Sequence, residues 1–212
     1  MRIQSSNSLM LAETASSEVK MPGRINVLLF RSIIKQLRED RRWVILNLGA
    51  ALQQTIDLVS PYRCRMDIAN LADSIDTVNA PVDSEEPDRF TERVAALLPA
   101  HASEPMDVVF CWDFLNYLDR DVLTELMSAI ASRCRRGALL HALIAYSHPL
   151  MQEVPGRFAP LNESHLLSLT NTTPSRIAPR YSTDDLRACT PDFSIERVRL
   201  LGNGMQEYLF LR

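Results

Sequence analysis

The stretch Asp107 to Leu118, DVVFCWDFLNYL, constrains this chain more than any other. Val108 to Trp112 is a continuous apolar run of strand-favouring residues, the signature of a strand covered on both faces. It stops at Asp113. Asp119 is placed to cap a helix over Arg120 to Arg133, where Val122, Leu123, Leu126, Met127 and Ile130 recur at helical spacing. A strand whose carboxyl end delivers Asp113, Asn116 and Tyr117 just before a covering helix is where open α/β sheets place their ligand crevices.

The remaining chain is read for elements that complete such a sheet. Arg24 to Asp40 carries Ile25, Leu28, Leu29, Ile33, Ile34 and Leu37 on one helical stripe. Trp43 to Leu48 is the first strong strand and Gly49 terminates it. Ala50 to Leu58 reads as a crossover helix stopped by Pro61, Arg63 to Ile68 as a shorter strand, and Leu71 to Val78 as a brief helix with a wet face. Asn79 to Asp88 is a polar connection, followed by a helix over Phe90 to Leu98. No clean strand falls between Asp67 and Asp107; it is either short and irregular, around Thr77 to Val82, or lost.

Gly137 is expected to end the helix begun at Asp119, with Arg133, Arg135 and Arg136 at a carbonyl pole. Ala138 to Tyr146 is a second nearly continuous apolar strand, within which His141 reads as a hydrogen-bonded core or rim side chain. Ser147 to Pro179, rich in proline and with a short helix expected at Glu163 to Leu169, reads as a lid or substrate-side insertion. Ser182 can cap a helix over Thr183 to Cys189. Phe193 to Leu201 and Gln206 to Leu211 form a hairpin about Gly202, Asn203 and Gly204.

Composition narrows the classes. With 212 residues the chain can bury a sizeable core, and a formal net charge of -3 gives no reason to expect general nucleic-acid binding. Four widely spread cysteines form no zinc or redox pair, which suits free thiols in the cytoplasm. There is no long apolar span for a membrane helix. Residues 1–23 read as a flexible, serine-rich leader and residues 24–212 as one domain.

The element order resembles the class I S-adenosylmethionine-dependent methyltransferases over Ile25 to Arg212. Met106 to Leu118 looks like that family's fourth strand and its following loop, and Gly204 to Leu211, GMQEYLFL, like its closing strand. The resemblance implies an α/β, Rossmann-like methyltransferase fold: a mostly parallel, doubly wound sheet ending in an antiparallel hairpin. It also implies S-adenosylmethionine as cofactor, without a metal. In the family the first strand ends in an acid followed by a glycine-rich loop. The matching residues here are Asn47, Leu48, Gly49, Ala50, Ala51, Leu52 and Gln53, so only Gly49 is kept and Asn47 replaces the acid.

The resemblance places cofactor contacts at Asn47, Gly49, Ala51, Asp67 and Asp113. Asp67, or Asn70 in its stead, would meet the ribose, and Asp83 an adenine edge unless it is simply solvated. Asp113, Tyr117 and His148 are the candidate catalytic residues, and Asn116 and Tyr117 the candidate substrate contacts. The acceptor is then a small molecule or a protein. The departures in the glycine loop support a second reading, a non-catalytic methyltransferase-like protein that binds a protein partner. Such a protein should fill the pocket with Leu52 or Gln53, whereas an enzyme should leave a cleft at Gly49. The same glycine loss weighs against a dinucleotide oxidoreductase.

Overall fold

A computed structural model of the chain describes residues 23–79, 87–100, 104–170 and 173–212. The expected leader up to residue 22, Asp83, and residues 80–82 of the expected irregular strand lie outside the described residues; Thr77 and Val78 belong to a helix. In chain order the elements are β1 (Arg24–Asn26), α1 (Leu28–Ile34), β2 (Trp43–Asn47), α2 (Gln53–Val59), β3 (Cys64–Ile68), α3 (Ile75–Val78), α4 (Pro87–Ala95) and β4 (Met106–Trp112). There follow α5 (Arg120–Arg133), β5 (Cys134–Ala145), β6 (Leu150–Met151), β7 (Phe158–Asn162), β8 (His165–Ser168), β9 (Arg176–Ile177), α6 (Thr183–Cys189), β10 (Ser194–Leu200) and β11 (Met205–Leu211). Short helical turns at Leu71–Ser74 and Phe114–Tyr117 precede α3 and α5.

The main sheet has six strands in the order β10-β11-β5-β4-β2-β3. β3, β2, β4 and β5 run parallel, while β11 pairs antiparallel with β5 and β10 antiparallel with β11. Alternate residues feed two cores. Leu46, Val109, Cys111, Leu140 and Phe210 face α5 and α6 through Leu123, Leu126, Met127 and Leu186. Ile45, Val108, Phe110, Leu143 and Leu209 face α1 through Phe30, Ile33 and Ile34. Coverage of both faces is the physical reason that β4 from Val108 to Trp112 and β5 from Ala138 to Ala145 are nearly continuously apolar, without alternation.

Several elements differ from the sequence expectation. Arg24 does not start a helix: β1 pairs antiparallel with β8, setting Ile25 opposite Leu166, and α1 starts at Leu28. The helix expected at Glu163 to Leu169 is strand β8, paired on its other side with β7. A short apolar run such as HLLSL fits either period, and strand partners decide it. The Ser147 to Pro179 segment therefore supplies two strands of a three-stranded sheet, β1-β8-β7, whose third strand comes from Arg24–Asn26, and both strands of the pair β6-β9.

Gly137 does not end α5. The helix stops at Arg133 and the chain enters β5 directly, with Gly137 at φ +83° where the register with β4 slips. This bulge carries Arg135 to Asp107, Nε to Oδ1 at 2.6 Å, and Arg41 pairs with the same carboxylate. Arg133 serves a neighbouring carbonyl end, donating to Pro99 O at 2.8 Å and Ala95 O at 3.3 Å beyond α4. Asp119 does take the N-cap position of α5, in extended conformation, but without a side-chain cap bond. Ser182 caps α6 with a reciprocal Ser182–Asp185 capping box. Among the described residues no helix is long and apolar enough to cross a membrane, and no three His, Cys, Asp or Glu side chains group as a metal site.

Candidate functional site

The carboxyl ends of β2, β3 and β4 open on a crevice of about 400 Å³, lined by Leu48, Gly49, Ala50, Asn70, Ala72, Trp112, Asp113 and Val154 to Arg157. A second cavity of about 930 Å³ lies between the end of β5, the small sheet and the β10–β11 hairpin. Asp113 and Gly156 line both. The two spaces thus meet at one carboxylate and one backbone amide.

Strand β4 produces this arrangement at its last residue. Its register with β5 slips between Phe110 and Trp112, and Trp112 adopts φ +50°, a left-handed conformation that side chains rarely take. The indole is thereby laid over the β2 loop and stacks on Phe158, ring centroids 6.2 Å apart and planes 20° from parallel. A Cβ at Gly49 would stand 2.6 Å from Trp112 Cδ1, so the one glycine kept in this loop is needed for the close approach of the indole.

Asn47 does not face the crevice. Its amide closes the loop from behind, Nδ2 donating to Gly49 O at 3.2 Å and to Ala50 O at 3.1 Å, while Oδ1 accepts from Trp112 Nε1 at 2.6 Å. An acid there could not donate to the two carbonyls. Ala51 is exposed and Ala50 lines the crevice in its place. Asp67 is also turned elsewhere: Arg65 grips it at 3.1 Å from Nε and 2.7 Å from Nη2, in a small recess beside Leu98 and Glu104. Asn70, left-handed at φ +47°, stands at the crevice instead. Of the five expected cofactor contacts, Gly49 and Asp113 line the crevice.

Asp113 is 6% exposed, and Gly156 N donates to both of its oxygens at 3.0 Å. Burial pushes its carboxyl up to about 7, against the Gly156 N–H, which favours the ionised form. Asn116 holds the turn after β4: Nδ2 donates to Asp113 O at 2.7 Å and Leu143 O at 2.8 Å, and Oδ1 accepts from Ala145 N at 2.8 Å. The Tyr117 hydroxyl lies 2.8 Å from Val154 O and 3.1 Å from Gln152 O, under the Arg176 guanidinium at 5.5 Å from the ring. Burial, with the Asp113 charge adding, raises this phenol above its usual range. His148 is exposed at the rim of the larger cavity beside Gly204, whose φ of +79° and lack of a Cβ make room for the imidazole.

The fold therefore brings Asp113, Asn116, Tyr117 and His148 around one cavity. Sequence reasoning missed Trp112, read only as strand core, and Gly156. The turn signal Val154-Pro155-Gly156 marks a place where backbone can approach a ligand-side residue. A Cβ at Gly156 would stand 2.6 Å from the Phe158 ring and 3.0 Å from Asp113 Oδ2.

The chain is similar in structure to a S-adenosylmethionine-dependent methyltransferase from Clostridium acetobutylicum, with a TM-score of 0.50, 12% identity, and 87% of this chain and 88% of that one covered. It has the class I methyltransferase fold. A SAM-dependent methyltransferase from Methanosarcina mazei has a TM-score of 0.48 at 13% identity, with 85% of this chain and 96% of that one covered. No family model matches the sequence, and no curated protein matches it. Within the methyltransferase fold, the crevice at Gly49 lies where open α/β sheets bind ligands, beyond the carboxyl ends of the parallel strands.

Proposed function

We propose that this chain transfers a methyl group from S-adenosylmethionine to a small acceptor, with Asp113 as the base. The observation that carries the reading is the meeting of two cavities at Asp113 and Gly156. The crevice at Gly49 suits the donor in size, since small-molecule sites run from about 300 to 1,000 Å³. Leu52 is buried away from it and Gln53 turns out to Asp57 at 2.7 Å, so neither fills the space.

Gly49, Ala50 and Asn70 would hold the donor, with Asp113 at its reacting end. When bound, the sulfonium supplies an electrophilic methyl group. Asp113 accepts the proton lost by an acceptor oxygen or nitrogen, and a carboxyl near 7 is matched to that task at neutral pH. Asn116 and Tyr117 fix the turn and the covering segment rather than offering free polar atoms. His148 stands at the rim, where it can orient the acceptor. Four free cysteines support a cytoplasmic setting.

A second reading, a methyltransferase-like binding protein without catalysis, is favoured by one observation: Asp67 and Asn47 both spend their polar atoms inside the protein. Calorimetric titration with S-adenosylmethionine and S-adenosylhomocysteine separates the two. Micromolar binding that is lost in Ala72→Phe, which fills the crevice, supports the enzyme; no binding by folded protein leaves the partner-binding reading.

A further inference from the structure

The larger cavity carries a charge imbalance that proton transfer does not use. Among the described residues that line it, Asp113 is the only carboxylate, whereas two guanidinium side chains, Arg24 and Arg199, line it as well. Arg24 and Asn26 flank buried Ile25 along β1, so alternation puts both on the strand's exposed face. Arg199 donates to Asn26 Oδ1 at 3.1 Å and to Asn26 O at 3.4 Å, which brings a second guanidinium to that face. Glu207, opposite Arg199 in the β10–β11 ladder, gives its carboxylate to Phe30 N and His141 Nε2 instead. Among the described residues neither Arg24 nor Arg199 has a carboxylate partner.

We infer that the acceptor is a small organic anion with an apolar body. Its carboxylate or equivalent group sits by Arg24 and Arg199, its body packs on Phe158, Met151 and Met205, and its acceptor atom reaches Asp113. Guanidinium groups make charge-assisted, bidentate bonds to planar anions, and the apolar wall supplies burial without polar competition. An ammonium group in the same place would meet two like charges. The placement of the acceptor atom rests on the methyl-transfer reading; the preference for an anion rests on the cavity alone.

The test compares binding of hydroxynaphthoate, naphthol and aminomethylnaphthol to the full chain without cofactor, by fluorescence titration. The naphthoate is expected to bind about tenfold or more tighter than naphthol, with the amine weakest. Arg24→Gln/Arg199→Gln should abolish that preference while naphthol affinity stays. If the double variant does not fold, wild-type salt dependence decides, because a charge-based preference at exposed groups shrinks as salt rises. Equal affinities, a preference for the amine, no binding of any of the three, or a preference insensitive to both variant and salt would overturn the inference. S-adenosylhomocysteine is titrated separately. Its failure to bind counts against the methyl-transfer reading and leaves the acceptor comparison intact.

Discussion

Glu207 Oε1 lies 3.1 Å from His141 Nε2, with both side chains 0% exposed, and the same oxygen accepts from Phe30 N at 2.7 Å. Helix α1 has no side-chain cap of its own at Val27, so a carboxylate from the last strand satisfies its first turn. One buried group ties β5, β11 and α1 together, across 177 positions of sequence.

Glu207→Leu should destabilise the fold by about 3–5 kcal/mol, since it leaves a backbone N–H and an imidazole buried without a partner. Glu207→Gln, which keeps an acceptor, should cost less. Burial pushes the Glu207 carboxyl up, but the His141 bond and charge and the Phe30 amide outweigh it and hold it below the usual range. A folded value below the unfolded one means that this stability is complete above about pH 4.3 and is lost as pH falls toward the folded value. Urea midpoints of wild type and Glu207→Gln between neutral and acid pH check it: the gap should narrow on acidification.

Asp113 behaves in the opposite sense. Its value is raised from 3.8 to about 7, so its contribution to stability is present below the unfolded value and is lost as pH rises toward 7. Asp113→Asn should therefore gain stability relative to wild type across that window, read as the difference in Tm against pH. Methyl transfer should rise with pH through about 7 in the wild type. In Asp113→Asn it should drop by about 10²- to 10⁴-fold.

Asn47→Asp tests the clasp behind the Gly49 loop. The Trp112 bond to Oδ1 can persist, but two carbonyls lose their donor and face a carboxylate. A loss of about 1–3 kcal/mol in denaturant unfolding is expected, together with weaker S-adenosylhomocysteine binding. Unchanged stability would show that the loop holds its shape without the amide.

Tyr117→Phe removes the hydroxyl that ties the turn after β4 to Gln152 and Val154. The expected cost is about 1 kcal/mol overall, with a larger local effect: faster amide exchange over residues 152–156, including the Gly156 N–H held by Asp113. Exchange that rises uniformly through the chain instead would argue against a local tether.

The parts legible in the sequence were those whose signal is local or periodic. VVFCW read as a doubly covered strand because its burial on both faces suppresses alternation. The capping box at Ser182 and Asp185 needs only residues within one turn, and the closing hairpin only a Gly-Asn-Gly turn between two strands. His141 read as a hydrogen-bonded core residue from its place in an apolar strand, though nothing near it named Glu207. The candidate site was half legible. A crevice at the carboxyl end of β4 follows from strand order, and Asp113 from its position there.

The parallel direction of the main sheet was legible only through the resemblance to the methyltransferase fold. What the sequence determined by itself was the run of strands and helices that builds that sheet and the hairpin that closes it. These depend on period, capping and turn chemistry, all of which act over a few residues. The tertiary structure alone decided which polar groups remain for a ligand. Asp67 goes to Arg65, Asn47 to the loop carbonyls and Glu207 to α1, while Asn70 and Gly156 come to the crevice. It also decided that HLLSL is a strand, through pairing with β1 and β7. A polar side chain is claimed by whichever donor or acceptor the fold brings within about 3 Å, and that partner can stand anywhere in the chain.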